Sequence, residues 1–125
     1  MKKATLILIV TLLTVSAGAL GETETQTGFL IPSQCKPEEG KVPQPKGATD
    51  AWPAPHTTDC ALRPACIASG YGLWVRDRFL MFGKEGQKKA LKYFQTTKRS
   101  SYHKVEVRGD FSQELVQVES IKSVD

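Results

Sequence analysis

No Cys-x-x-Cys pair occurs in the 125 residues. That absence removes the usual thiol-exchange motif, and without Cys-x-x-Cys-His there is no covalent haem attachment. The paired Cys-x2-Cys knuckles of a zinc finger are missing too. Only three cysteines and two histidines are present. A cysteine nucleophile would need a base oriented by a third group and an oxyanion hole, and nothing in the sequence marks either. Carboxylates are scattered, and there is no internal repeat or low-complexity tract. The sequence therefore predicts a non-enzyme.

The chain also lacks an apolar run of the roughly 20 residues that a membrane span requires. Its longest candidate is Ala4 to Val15, preceded by Met1-Lys2-Lys3 and followed by small residues. A basic head, a short apolar middle and small residues describe a secretory leader. Cleavage fits after Ala19 or after Gly21, and the second leaves a polar N-terminus at Glu22. No cysteine closes the apolar region, so a lipid anchor is not expected. The expectation is an exported protein, periplasmic or secreted from a bacterium, with no transmembrane anchor in the mature chain. Residues 1–21 form the leader, 22–26 a flexible start and 27–125 a single small domain.

Without Lys2 and Lys3, 15 basic side chains face 13 acidic ones. The excess is local. Residues 84–108 hold eight Lys or Arg against Glu85 and Glu106. Such a run is commonly a solvated helix face. It also offers a surface for polyanions or cell-surface partners, with Lys88, Lys89, Lys92, Lys98 and Arg99 as the contact residues.

In chain order, Thr27 to Ile31 reads as a strand closed by Pro32. Residues 32–55 are proline-rich and poor in large apolar side chains, which predicts a loop; Trp52 is the residue that would pin it to the body. Thr57 or Thr58 suits an N-cap for a helix from Cys60 to Ser69, and Gly70 suits its stop. Pro64 inside that segment allows two short turns in place of one helix. Tyr71–Arg76 and Arg78–Phe82 read as a hairpin about Asp77, and Gly83–Gly86 as a turn. Ala90, Leu91 and Phe94 give Gln87–Thr97 a helical period. Lys104–Gly109 and Glu114–Ile121 alternate apolar and polar residues, as half-buried strands do, around an Asp110–Gln113 loop. The predicted fold is mainly β with short helices, a small five-stranded OB-like barrel; a split α+β sheet is the alternative. Tyr71, Trp74, Phe79 and Phe82 fall on the two middle strands, where OB domains stack bases. In so small a domain they are expected in the core, and no nucleic acid partner is expected.

The chemistry concentrates at Cys35, His56, Cys60 and Cys66. Two readings stand. In one, the four form a Cys3His site for Zn2+, or for copper if the site is softer. In the other, one disulfide joins Cys35 to Cys60 or Cys66, and the third thiol stays free. In an unbroken helix Cys60 and Cys66 would lie about 9 Å apart along the axis, beyond the roughly 7 Å Cα limit for a disulfide. A break at Pro64 would relax that limit. The block His56-Thr57-x-x-Cys60-Ala61-Leu62, Cys66 and Ser69-Gly70-Tyr71-Gly72, with Cys35, Leu80-x-Phe82, Val105-x-Val107-x-Gly109 and Val118-x-Ser120-Ile121, resembles small secreted bacterial proteins of uncharacterised function. The resemblance implies an exported OB-like domain and brings no established activity. The sequence thus points to a monomeric binding module for a metal ion or small ligand.

Protein exported by its host should have the intact mass of a chain beginning at Glu22. A full-length chain recovered in the membrane fraction would contradict the leader.

Overall fold

The computed structural model describes residues 22–36 and 56–124. The proposed leader, Trp52 and most of the proline-rich loop lie outside the described residues. Five strands form one antiparallel sheet in the order β3-β2-β1-β4-β5, with β1 Glu24–Pro32, β2 Tyr71–Val75, β3 Arg78–Met81, β4 Lys104–Asp110 and β5 Gln117–Ser123. The chain is mainly β, as expected. Three short helices complete it: α1 Thr58–Ala61, α2 Pro64–Ser69 and α3 Lys84–Thr96. Among the described residues no helix is long and apolar enough to cross a membrane.

The central strand is β1, which pairs β2 on one side and β4 on the other. It begins before Thr27 because Glu24, Thr25 and Gln26 already have partners in Gly109, Arg108 and Val107. The β2–β3 hairpin closes through Arg76 and Asp77, with Arg76 at φ 59°, the left-handed backbone that two-residue hairpin loops need. The β4–β5 hairpin turns at Asp110, whose carboxylate accepts from the backbone and hydroxyl of Ser112 and from Gln113. Those bonds hold the Asp110 carboxyl below its usual pKa. A bulge at Arg108/Gly109 shifts the ladder.

The sheet edges come together at one point. Phe82, just past β3, and Val116, just before β5, form a single parallel bridge. Val116 N–H donates to Met81 C=O at 2.8 Å, and Gly83 N–H to Val116 C=O at 2.9 Å. This rung explains why β5 begins at Gln117, since Val116 is already committed to the opposite edge. The core is built mainly from β1, β2, β4 and β5 and their flanks: Leu30, Leu73, Val105, Val107, Val116 and Val118 are buried with Tyr71, Phe82, Ala90 and Phe94, and β3 adds the partly buried Leu80. Alternation in β4 and β5 therefore reports burial as anticipated. Tyr71, Trp74 and Phe82 are buried as well, at 1–3% exposure, so these aromatics belong to the core and offer no stacking face.

The third helix starts at Lys84, a turn earlier than its apolar period indicates. Gly86 is the reason its start is hard to read. It suggests a turn, yet it sits buried in the first helical turn, where a Cβ would lie 2.6 Å from Val118 and 2.7 Å from Phe82. Its lack of a side chain permits close packing of helix against strand. The next residue, Gln87, inserts its side-chain amide where β2 and β3 diverge. Its Oε1 accepts from Tyr71 N–H at 2.6 Å, and its Nε2 donates to Tyr71 C=O at 2.9 Å and Phe82 C=O at 3.0 Å. A single side chain thus extends the ladder by one rung and fixes α3 to the start of β2.

Gln87→Ala should leave the Tyr71 N–H without its acceptor and cost about 2–3 kcal/mol in denaturant unfolding. The exposed control Gln95→Ala should stay within about 0.5 kcal/mol. Equal stability of the two variants would refute the clamp.

Candidate metal centre

Three separate elements carry the three cysteines. Cys35 ends a 3-10 turn, Ser33–Cys35, that follows β1; Cys60 lies in α1 and Cys66 in α2. The predicted Cys60–Ser69 helix is divided. Pro64 occupies the first turn of α2, and Arg63 before it is extended at φ −65°, ψ 143°, as the residue preceding proline tends to be. The helical separation of Cys60 and Cys66 therefore does not apply.

Short polar bonds place each element. Thr57 caps α1, its side chain accepting from Cys60 N–H at 3.1 Å. Tyr71 Oη donates to Ala61 C=O at 2.7 Å, tying the end of α1 to the start of β2. The turn bearing Cys35 is fastened to the end of α2 twice, by Ser33 N–H to Gly70 C=O at 2.7 Å and Gln34 N–H to Ser69 Oγ at 3.2 Å. Ser69 Oγ in turn donates to Cys66 C=O at 2.8 Å. Gly70 takes φ 83° as the chain leaves α2 for β2, a backbone that L side chains rarely adopt.

As a result the three Sγ atoms lie within 4.8 Å of one another. Cys35 and Cys60 sulfurs are 4.0 Å apart, and Cys66 Sγ is 4.0 Å from Gln34 Oε1. No disulfide joins any pair of them; all three are free thiols, Cys66 buried and the other two half-buried. Burial, followed by the proximity of Cys60 and Cys66, pushes the Cys35 thiol up to about 12. Burial, with a smaller contribution from Cys66, also pushes the Tyr71 phenol up to about 12. Three thiolates this close repel one another, so a cation between them would relieve the repulsion and displace their protons.

His56, the anticipated fourth ligand, does not belong to this group. It precedes the N-cap Thr57, which is extended at φ −93°, ψ 153°, so its four-residue spacing from Cys60 is not a helical one. Its ring is buried, and burial lowers its pKa. The second histidine, which no sequence motif singles out, anchors α1. Thr58 Oγ1 donates to Arg99 C=O at 2.5 Å and therefore accepts from His103 Nε2–H at 2.9 Å. His103 Nδ1 is then the acceptor for Tyr93 Oη at 3.1 Å, and Ser123 Oγ donates to Tyr93 Oη at 3.4 Å. These bonds fix a neutral tautomer. Burial first, then the charges of His56 and Arg99, lowers the His103 pKa to about 4.

The five basic residues anticipated as polyanion contacts differ in their surroundings. Arg99 turns inward, donating to Tyr102 and Val124 carbonyls at 3.1 and 2.9 Å. Lys88 lies 3.5 Å from Glu85 across an exposed pair. Lys98 is exposed. Lys89 and Lys92 line an open groove of about 360 Å³ between α3 and β5, together with Glu119. Sequence reasoning missed Gln34, Ser69 and the Tyr71 hydroxyl, which position the cysteines. Ser69 just before Gly70 was the available cue, since a hydroxyl in a last helical turn readily bonds backbone.

No protein-family model, curated protein or solved structure matches the chain.

With His103 neutral when folded, stability should be level between about pH 6.5 and 8, below the range where Cys35 and Tyr71 titrate, and fall as the pH drops from 6.5 toward about 4. In that window the unfolded imidazole takes up a proton that the folded one does not. The loss has an upper limit of about 3 kcal/mol, and His56, shifted in the same direction, adds to it. Denaturant unfolding at stepped pH measures this, and His103→Gln should flatten the profile. A wild-type profile that is level down to about pH 4.5 would contradict the assignment.

Proposed function

We propose that the protein is an exported, non-enzymatic metal-binding module in which Cys35, Cys60 and Cys66 together hold one thiophilic cation. The observation that carries this reading is the convergence of three free sulfurs, within 4.8 Å of one another, from three separate elements. A cation bonded to thiolates at about 2.3 Å in tetrahedral geometry sets sulfur–sulfur edges of about 3.8 Å. The Cys35–Cys60 edge is already 4.0 Å.

The scaffold is proposed to be an OB-type barrel. Its support is the strand order β3-β2-β1-β4-β5, the helix between β3 and β4, and the parallel bridge between the sheet edges. Export would place the thiols in an oxidising compartment. A bound cation would hold them as thiolates and withhold them from disulfide formation. The cysteines are held in place by bonds from Gln34, Ser69 and Tyr71, a fixed arrangement that favours holding a metal over using it in a reaction.

Protein purified from the exported fraction without chelator should contain about one metal ion per chain, with three thiols that react only after chelation or denaturation. Each single substitution Cys35→Ser, Cys60→Ser or Cys66→Ser should abolish stoichiometric metal. One reactive thiol, no metal and a mapped bridge from Cys35 to Cys60 or Cys66 would replace this reading with a disulfide-stabilised domain.

A further inference from the structure

We infer, on the basis of that metal-binding reading, that the cation is cuprous copper, held by the three sulfurs in a single plane. The donor set is the first reason. It is all sulfur, and no imidazole or carboxylate of the described residues belongs to the group. Structural zinc sites are closed by four donors in a tetrahedron. Thiolates suit both zinc and soft monovalent copper, but only the copper is satisfied by two or three of them.

The size of the triangle is the second reason. With one edge of 4.0 Å and none above 4.8 Å, a point in the sulfur plane lies no more than about 2.6 Å from all three atoms, against a metal–thiolate bond of about 2.3 Å. A planar cation fits with a contraction of a few tenths of an ångström. A tetrahedral ion would sit above the plane, draw the edges in to about 3.8 Å and need a fourth ligand from solvent.

The third reason is the setting. Cys66 is only 5% exposed, and its helix, the Cys35 turn and α1 are fastened to one another and to β2 by backbone-directed bonds. A rigid triangle of soft donors resists the reshaping that a four-coordinate ion demands. Binding is not a redox step: three S–H bonds are replaced by three Cu–S bonds, three protons leave, and copper enters and stays monovalent.

The experiment uses the reduced mature protein under anaerobic conditions, with an acetonitrile complex of Cu(I) and with a zinc salt as probes. One equivalent of Cu(I) should bind, survive an equimolar cuprous chelator, and release zinc from zinc-loaded protein to a chromogenic indicator. X-ray absorption should show three sulfurs at about 2.3 Å with no lighter scatterer. His56→Gln should keep copper affinity within about tenfold, whereas loss of a ligand or its support costs about 10–100-fold or more. Zinc that is retained against Cu(I), or an absorption spectrum of the wild-type protein with a fourth nitrogen or oxygen, overturns copper and leaves metal binding standing. Stoichiometric binding of neither ion overturns both.

Discussion

A proline lacks the N–H that helix continuation requires and pushes the residue before it out of the helical region. At Arg63–Pro64 that constraint ends α1 after four residues and begins α2 in a new direction. Everything about the cysteine cluster depends on this reversal. An unbroken helix would space Cys60 and Cys66 along one axis, whereas the break lets their sulfurs face a common point. Cys35 then arrives from the other side of the chain, delivered by a turn that the end of α2 holds in place.

Short helices have little stability of their own, because nucleating a turn costs more than its few hydrogen bonds return. Here the sheet supplies what the helices lack. Tyr71 is the central connector. Its ring packs on Phe94 at 5.2 Å, its hydroxyl holds Ala61, and its backbone is clamped by Gln87. Disturbance of α3 is thereby transmitted to β2 and on to the end of α1. From the other side, His103 links α1 to α3 and β5 through Thr58, Tyr93 and Ser123. The metal centre and the hydrophobic core share these residues, and the core thereby lends the site its rigidity.

Much of the fold can be read from side-chain pattern. Val105 and Val107 in β4, and Val116 and Val118 toward β5, alternate because one face is buried, and Ala90 and Phe94 mark the inner face of α3. The elements that were harder to place are those where one residue type serves two purposes. Gly83 and Gly86 look like turn punctuation, yet one precedes α3 and the other lets it approach Val118. Pro64 is compatible with a kink or a break, and only packing decides between them. The cysteine site was legible in its membership of Cys35, Cys60 and Cys66 but not in its geometry, since Cys35 and Cys60 meet across a 25-residue separation through backbone bonds that leave no sequence pattern. His56 shows the opposite hazard: its spacing suggests a ligand, but the N-cap at Thr57 ends the helix before reaching it.

The central claim is that three thiols of the folded chain face one point. Trivalent arsenic tests this without regard to the native metal, because arsenite bonds up to three thiols and needs all of them within reach of one atom. Native mass spectrometry of the reduced, folded protein should show a single arsenic adduct with three protons lost, and alkylation of that adduct should find no reactive cysteine. An adduct that has lost only two protons, leaving Cys35, Cys60 or Cys66 open to alkylation, would contradict the convergence.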